Sequence, residues 1–292
     1  MKRYKKFFAV LILLTFLFNT ISFESKAEAT STTLPYGLSY AKYCGVYVHI
    51  YKADKSFKIE LAGNEYEGYS DRVNFIYKKV KKNSKIVAGL NGGLFSYLKE
   101  NIDRPEVYHL QNGICLMMNQ GKMTNLSTPL EGTTDTMFYD NRDNKVKIVT
   151  VSTTTKKAIP YYRFMFDAVK HYAWAISGGV HALIINGVKK SDAYVNATNP
   201  DLVRRNMRAI FGVTEDGSYI FVVIPVKVKL PLARDIMSKI GCVNAINLDG
   251  SASSSLVVRS AKKKKNGKDD WYIYPRKFAV RDVRTCILLN KP

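Results

Sequence analysis

Three segments of the chain carry small polar residues and glycines in a pattern that can bind an anion or a sugar. They read VAGLNGGLFS at 87–96, AISGGVH at 175–181 and INLDGSASS at 246–254. Glycine lets a ligand approach the backbone and exposes N–H groups that bind oxyanions, while the adjacent small polar side chains bind hydroxyl or phosphate groups. Each segment alone is also typical of an ordinary turn. Three of them, each at the end of an apolar strand pattern, favour one shared pocket rim.

The histidines and cysteines lack the close spacing of a structural zinc site, so we predict no metal or cofactor, with a divalent cation as the open alternative. The residues concerned are His49, His109, His171, His181, Cys44, Cys115, Cys242 and Cys286. The last three cysteines lie in apolar runs, where cysteine behaves as a small hydrophobic residue, and one disulfide is the alternative. The sequence has no GxSxG elbow that would support a Ser/His/Asp triad.

The apolar patterns around these segments predict a strand-rich α/β fold of the mixed α+β type, with a mixed sheet core and few helices. Predicted strands cover 43–51, 57–61, 85–90, 114–118, 135–140, 145–151, 172–177, 182–185, 208–213, 219–224, 243–248, 254–258 and 283–289. Segment 57–61 is the predicted partner of 43–51. Helical spacing predicts helices at 70–82 and from Pro231 to Gly241, because proline is tolerated at the first position of a helix.

The first 29 residues have the features of an export signal. A basic stretch, MKRYKK, precedes an apolar run at 7–18 that is short for a bilayer span, and Ala27-Glu28-Ala29 forms a small-x-small cleavage site. We predict a secreted or cell-envelope protein with no transmembrane segment after cleavage; an uncleaved membrane anchor is the alternative. The mature part, 30–292, is predicted to be one domain, since no linker rich in Pro, Gly or Ser divides it.

Composition and charge indicate a folded protein with an anionic partner. The 292 residues include 45 Lys+Arg and 24 Asp+Glu, for a formal charge of +21, and 46% are hydrophobic, which argues against disorder. Signal cleavage would leave +18. The lysine run at 262–265 is predicted to be an exposed hairpin loop, either simply solvated or in contact with an anionic wall polymer, nucleic acid or a membrane surface. Specific nucleic-acid binding is not predicted, because the sequence carries no such motif.

Four segments, taken in chain order, carry a family resemblance. VNAINLDGSASSSLVV at 243–258 is the most specific, and it is preceded by RAIFGVTEDGSYIFVV at 208–223, AISGGVHALIINGV at 175–188 and LNGGLFS at 90–96. Over about 87–289 the chain resembles the phosphodiester glycosidase family, the NAGPA-type domain. The matching family segments contain Asn-Leu-Asp-Gly-Gly-Gly-Ser, Arg-Thr-Ala-Ile-Gly-Val, Ser-Gly-Gly and Asn-Gly-Gly-Phe-Phe. This chain departs at Ser251-Ala252 and at the extra Phe211, where bulkier residues replace glycine at positions that a ligand could approach.

The resemblance implies hydrolysis of a sugar-1-phosphodiester, which needs a carboxylate at the oxocarbenium-like centre, a cation for the phosphate and donors for the sugar. Asp249 is the candidate carboxylate, as base, nucleophile or hydroxyl ligand. Arg208 is the candidate phosphate clamp, because guanidinium matches phosphate oxygens bidentately. Alternatively, Asp249 forms a turn and Arg208 a surface ion pair. The candidate substrate-binding residues are Asn91, Gly92, Gly93, Ser177, Gly178, Gly179, His181, Asn247, Gly250 and Ser251.

The sequence does not single out a second carboxylate. Glu131, Asp135 and Asp192 all lie in polar segments, and nothing in the sequence ranks them. His181 follows the Ser-Gly-Gly turn and is a candidate acid or phosphate ligand, with a structural role as the alternative.

These observations predict an exported hydrolase that cleaves the anomeric C–O bond of a glycosyl-1-phosphodiester, with N-acetylglucosamine as the expected sugar. Its expected partner is a phosphate-bearing glycan in cell-envelope or exopolysaccharide metabolism. Two other classes stay open. One is a non-catalytic binder of anionic glycopolymers on the same fold, and the other is a binder of anionic surfaces that uses the lysine run at 262–265.

Overall fold

The computed structural model describes most of the chain after the predicted signal. The described residues are 32–33, 38–63, 72–99, 108–113, 115–123, 133–178, 181–196, 203–263, 266, 269–275, 283 and 285–292. Segment 1–29 lies outside them, and so do Glu131, Gly179, Lys264 and Lys265. Within the described residues, no helix is long and apolar enough to span a membrane.

Strands are the main elements of the described residues. The first eleven are β1 (Thr32–Thr33), β2 (Ser39–Tyr43), β3 (Val46–Ala53), β4 (Lys58–Gly63), β5 (Ile86–Asn91), β6 (Phe95–Lys99), β7 (Tyr108–Gly113), β8 (Met117–Asn119), β9 (Lys122–Met123), β10 (Thr133–Asp140) and β11 (Lys145–Ser152). The others are β12 (Ile159–Pro160), β13 (Tyr172–Ser177), β14 (Ala182–Ile185), β15 (Val188–Lys189), β16 (Asn206–Thr214), β17 (Tyr219–Val228), β18 (Cys242–Asn247), β19 (Leu256–Lys263), β20 (Asp269–Tyr274) and β21 (Thr285–Asn290). The helices are α1 (Arg72–Lys82), α2 (Tyr161–His171), α3 (Asp192–Asn196) and α4 (Leu230–Ile240).

In the described part of the chain these strands form three large sheets and the two-stranded pair β6–β7. The eight-stranded sheet has the order β1-β2-β3-β17-β16-β18-β14-β15, the six-stranded sheet β12-β11-β10-β13-β8-β9 and the five-stranded sheet β20-β19-β5-β21-β4. The short β11–β12 pair is parallel, and the other described pairs are antiparallel. The predicted strand-rich α+β fold is therefore confirmed.

Each large sheet turns one face toward a common central core. Phe211 of the eight-stranded sheet, Trp174 of the six-stranded sheet and Leu90 of the five-stranded sheet all lie in this core. The alternate residues of the same strands face outward, and a helix covers each outer face: α4 on the eight-stranded sheet, α2 on the six-stranded sheet and α1 on the five-stranded sheet. Burial of both faces explains why many strands read as continuous apolar runs rather than as strict alternation.

The helix predicted from Pro231 is α4, and its ends follow the predicted signals. Proline occupies the first turn, where its missing N–H has no partner to lose. Gly241 ends the helix with a φ of 97°, the left-handed conformation that glycine adopts without strain. The predicted hairpins at 140–144 and 215–217 also form, as β10–β11 and β16–β17. The helices α2 and α3 were not predicted.

The predicted pairing of 57–61 with 43–51 is wrong. β3 pairs with β2 and β17, whereas β4 pairs with β21 in the five-stranded sheet. The short turn at 54–57 therefore carries the chain from one sheet to another. Alternation marks both segments as strands, but it does not identify their partners.

The lysine run at 262–265 is only partly a loop. β19 continues to Lys263, which pairs with Asp269 of β20, so the predicted hairpin exists but its first two lysines belong to a strand. The other two lysines lie outside the described residues.

Candidate active site

The three glycine-containing segments end three strands, and each strand belongs to a different sheet. β5 of the five-stranded sheet, β13 of the six-stranded sheet and β18 of the eight-stranded sheet all stop at the same place. The Asp249 amide donates to the Gly92 carbonyl at 3.1 Å, which joins the first end to the third. The three segments therefore converge, as one shared pocket rim requires.

Asn91 fastens this junction with its side chain. Its carboxamide nitrogen donates to the carbonyl of Asp249 at 2.7 Å, and its oxygen accepts from the Ser255 amide at 2.9 Å. Asn91 is fully buried, so these bonds form away from water and hold both ends of the 249–255 loop. The structure thus places Asn91 beneath the candidate carboxylate, in contact with backbone groups.

Two glycines allow the strand ends to approach this closely. A β-carbon at Gly178 would overlap the carbonyl of Asn247, and one at Gly93 would lie 2.7 Å from the carbonyl oxygen of Ser177. Ser177 itself is buried, and its hydroxyl accepts from the Leu116 amide at 3.0 Å. Glycine is needed at both positions because the backbones touch there.

Arg208 and Asp249 lie opposite each other on neighbouring strands. β16 pairs with β18 in the register Ile210 to Asn247, and the Leu248 amide continues the ladder by donating to the Ala209 carbonyl at 2.8 Å. One further step in this register places Arg208 across from Asp249. Side chains directly opposite in an antiparallel pair lie on the same face of the sheet. The sequence-predicted cation and carboxylate therefore share one face at the junction.

Arg208 is not a surface residue, which rules out the surface ion-pair alternative. Its side chain is 2% exposed, and its guanidinium donates to the carbonyls of Arg204 at 2.6 Å and Val228 at 3.3 Å. Burial lowers the pKa of Arg208 to about 10, so the group is a cation at neutral pH. Asp249 is also buried, at 7% exposure.

Several buried polar atoms around Asp249 have no hydrogen-bond partner within the described structure. They are Oδ1 of Asn247 and the hydroxyl oxygens of Ser253 and Ser254. Buried polar groups are normally satisfied, and exceptions often mark a place where water or a ligand binds. These three atoms surround the candidate carboxylate, so the loop is built to receive a polar group.

The two departures from the family pattern have different structural meanings. Ser251 has a φ of 56°, in the left-handed region that favours glycine, which explains why the family pattern has glycine there. Phe211 is fully buried in the central core against Trp174 and Phe221. The expectation that Phe211 stands where a ligand approaches is therefore wrong, because the residue faces the core.

Asp135 is the buried member of the three unranked carboxylates. It accepts hydrogen bonds of 2.7 Å from the Ala182 amide, from the Tyr194 hydroxyl and from the Thr150 hydroxyl. Its carboxylate also lies 3.5 Å from Nδ1 of His181, whose ring packs on Tyr194. Burial alone would raise the pKa of Asp135, but hydrogen bonds from these groups hold it below its usual value.

This Asp135–His181 pair stands at the edge of the same junction. Ala182 pairs with Ile246 of β18, so His181 adjoins Asn247 in that register. The connection from Gly178 to His181 therefore wraps around the end of β18, two residues before Asp249. Asp192, by contrast, is exposed and forms an ion pair with Arg234 at 2.7 Å.

Gly92, Gly250 and the cysteines complete the account of the predicted residues. The Gly92 amide donates to the Thr285 carbonyl, and Gly250 packs on the carbonyl of Met207. All four cysteines are described and free; three are buried and Cys44 is exposed. Burial raises the pKa of Cys115 to about 12, and the nearby carboxylate of Asp249 adds to this. Among the described residues, no group of three or more His, Cys, Asp or Glu is placed to hold a metal ion.

A family model described as phosphodiester glycosidase, NAGPA, matches residues 84–289, more than two thirds of the chain. The chain belongs to the phosphodiester glycosidase family. Phosphodiester glycosidase activity in general is what this membership suggests. The matched range agrees with the extent of the resemblance in the sequence, and it includes all the candidate site residues.

Solved structures similar to this phosphodiester glycosidase family member show the same fold at low sequence identity. The zebrafish N-acetylglucosamine-1-phosphodiester alpha-N-acetylglucosaminidase catalytic domain, auto-inhibited by its pro-peptide, superposes with a TM-score of 0.55 at 16% identity over 87% of this chain and 82% of its own. A Burkholderia pseudomallei protein described as exported gives 0.53 at 13% identity, over 87% and 74%. A hypothetical protein from Synechocystis gives 0.46 at 12% identity over 88% of this chain, which spans only 62% of that protein. No match was found among the curated proteins compared.

Sequence reasoning missed the residues that hold Asp135. Tyr194 and Thr150 come from α3 and β11, and neither lies near Asp135 in the sequence. The only available signal was the position of His181 after the Ser-Gly-Gly turn, which points to this region but does not identify its partners.

Proposed function

We propose that the protein hydrolyses a glycosyl-1-phosphodiester at the bond between the anomeric carbon and the phosphate oxygen. The observation that carries this proposal is the pairing of buried Arg208 and Asp249 on one face, at the junction of three sheets. A buried guanidinium suits a phosphodiester anion, and a carboxylate beside it suits the positive charge that develops at the anomeric carbon.

In the proposed reaction, water supplies the oxygen that bonds to the anomeric carbon. The bond from this carbon to the phosphate oxygen breaks, and the phosphomonoester leaves with the bonding electron pair. Asp249 either takes a proton from the attacking water or attacks the carbon itself to form a covalent intermediate that water then hydrolyses. The anomeric configuration of the released sugar distinguishes the two routes, because the first inverts it and the second retains it.

Arg208 is proposed to bind the phosphate throughout the reaction and to stabilise the charge that builds on it as the bond breaks. The unpartnered oxygens of Asn247, Ser253 and Ser254 are proposed to bind sugar hydroxyls. His181, held by Asp135, is proposed as a proton donor to the leaving phosphate. Its contribution is expected to be moderate, because a phosphomonoester leaves easily.

The biological setting belongs to the proposal as well. The predicted signal at 1–29 and the charge of +21 support export to a cell envelope or exopolysaccharide matrix, where phosphate-bearing glycans occur. N-acetylglucosamine is the proposed sugar, and the named activity of the zebrafish structural relative supports this choice.

The test is an assay of protein 30–292 on an N-acetylglucosamine-1-phosphodiester, with Asp249→Asn and Arg208→Lys as variants. Asp249→Asn is expected to lower kcat at least about a thousandfold, because it removes the charge that stabilises the transition state. Arg208→Lys keeps a cation but loses the fork, so kcat/KM is expected to fall about 100-fold. Asp192→Asn, which changes an exposed carboxylate far from the junction, serves as the matched control.

Unchanged turnover in Asp249→Asn would contradict the role of this carboxylate. Glycopolymer binding without turnover of any sugar-1-phosphodiester would instead favour the non-catalytic binder. Circular dichroism of each variant shows whether a loss of activity reflects a loss of fold.

A further inference from the structure

Helix α2 has apolar side chains on both of its faces. Its inner face packs on the six-stranded sheet through Phe164 and Ala168. Its outer face presents Tyr162, Phe166 and Val169, which are 77%, 62% and 63% exposed. Their spacing of four and three residues places them in one stripe along the solvent side of the helix. A surface helix normally carries polar residues in such a stripe.

Cations surround this apolar stripe. Lys156, Lys157 and Arg163 line a cavity of about 470 Å³ at the start of the helix, and each of the three is exposed. Lys170 lies over the ring of Phe166, with its nitrogen 3.8 Å from the ring centroid. The carboxylate that shares the cavity is Asp167, so the surface has a clear excess of positive charge.

We propose that α2 and this basic cavity dock the protein on the surface of a bilayer that contains anionic phospholipids. Exposed aromatic and aliphatic side chains flanked by lysine and arginine are the features of a helix that lies in the membrane interface. Phe166, Val169 and Tyr162 would enter the headgroup region, while Lys156, Lys157 and Arg163 would bind lipid phosphates. A soluble polyanion would use the same cations but would give no reason for the apolar stripe.

The docking surface is separate from the candidate active site. α2 covers the outer face of the six-stranded sheet, whereas Ser177 ends β13 of that sheet at the junction. The proposal therefore does not rest on the proposed reaction. Variants of the stripe are expected to leave turnover of a soluble phosphodiester unchanged.

The test is co-sedimentation of protein 30–292 with vesicles of phosphatidylcholine alone and with 30% phosphatidylglycerol, a flagged choice of about one anionic lipid in three. The protein is expected to bind the anionic vesicles and to bind neutral ones at least about tenfold more weakly. Phe166→Ser combined with Val169→Ser is expected to weaken binding to anionic vesicles about tenfold. Neutralisation of Lys156, Lys157 and Arg163 to glutamine is expected to weaken it on the order of 100-fold, because each cation contributes several-fold.

Matched controls isolate the surface from general effects. Val188→Ser changes an equally exposed valine (63%) on the eight-stranded sheet and is expected to have no effect. Glutamine at Lys78, Lys82 and Lys85 removes three exposed charges near α1 and is expected to have little effect. The proposal is overturned if the protein ignores anionic vesicles, if Phe166→Ser with Val169→Ser binds like wild type, or if either control loses binding equally. It is also overturned if a soluble polyphosphate binds through the same lysines and vesicles do not.

Discussion

At the scale of single residues, the candidate site combines groups that the sequence ranks with groups that only the fold brings together. Asp249 and Arg208 stand opposite each other because the β16–β18 register puts them there. Asp135 and Tyr194 join His181 through contacts between residues far apart in the chain. The fold thus supplies a carboxylate–histidine pair next to the motif residues.

Asp135 is expected to act as a positioning residue for His181. Asp135→Asn removes the charge that His181 faces and is expected to lower kcat about tenfold to 100-fold, with little change in KM. His181→Gln is expected to lower kcat by a similar factor and to remove the same limb of the pH–rate profile. The measurement is kcat against pH for both variants and wild type.

A purely structural role for Asp135 would give another result. The pH–rate profile of Asp135→Asn would then keep its shape while the melting temperature fell. Tyr194→Phe, which removes one of the hydrogen bonds to the carboxylate and keeps the ring on His181, is the milder control.

At the scale of elements, the site depends on three strand ends that meet at bonded and touching backbones. Gly178→Ala is expected to push β13 away from β18, because the new β-carbon would overlap the Asn247 carbonyl. We expect a loss of roughly 2–4 kcal/mol in the free energy of unfolding together with a large loss of kcat. Urea unfolding and the phosphodiester assay measure the two effects. A variant with full activity and wild-type stability would show that the strand ends are not in contact.

The β10–β11 hairpin is closed by a buried carboxylate. Asp140 accepts hydrogen bonds from Arg142 at 2.8 and 2.9 Å and from Lys147 at 2.9 Å. These partners hold the pKa of Asp140 well below its usual range. The native state therefore binds fewer protons than the unfolded state in acid, and the stability that Asp140 contributes is present above about pH 4 and lost below it.

Asp140→Asn is accordingly expected to lower the free energy of unfolding by about 2 kcal/mol at pH 7. The difference between variant and wild type is expected to shrink as the pH falls below about 4, which urea titrations at pH 7 and pH 3 would measure. Asp143→Asn is the matched control, because Asp143 is exposed and its ion pair with Lys147 is expected to contribute little at either pH. A pH-independent difference for Asp140→Asn would contradict the electrostatic explanation.

The strands and the strongest helix could be predicted because their signals are local. Apolar runs ended by Gly or Asp-Gly, and Pro231 followed by a helical stripe, specify structure within a few residues. The partner of β4 could not be predicted, since period-two patterning identifies a strand without its neighbour. α2 was missed because its apolar side chains lie on both faces, which hides the helical period.

At the scale of the whole molecule, three sheets share one core and contribute one strand end each to one site. This arrangement explains why the motif segments are spread from 87 to 254 in the sequence. Within the described residues, the positive charge concentrates away from the junction, around α2 and along β19. Charge therefore fits the proposed setting of the protein, while Arg208 and Asp249 fit its proposed chemistry.

The most direct test of the proposed chemistry is hydrolysis of a glycosyl-1-phosphodiester in ¹⁸O-labelled water, followed by ³¹P NMR of the phosphomonoester. Attack at the anomeric carbon leaves every phosphate oxygen in place, so the account predicts an unlabelled phosphomonoester and no product with Asp249→Asn. An ¹⁸O-shifted phosphorus signal would show attack at phosphorus and would contradict the assignment of this site as a glycosidase.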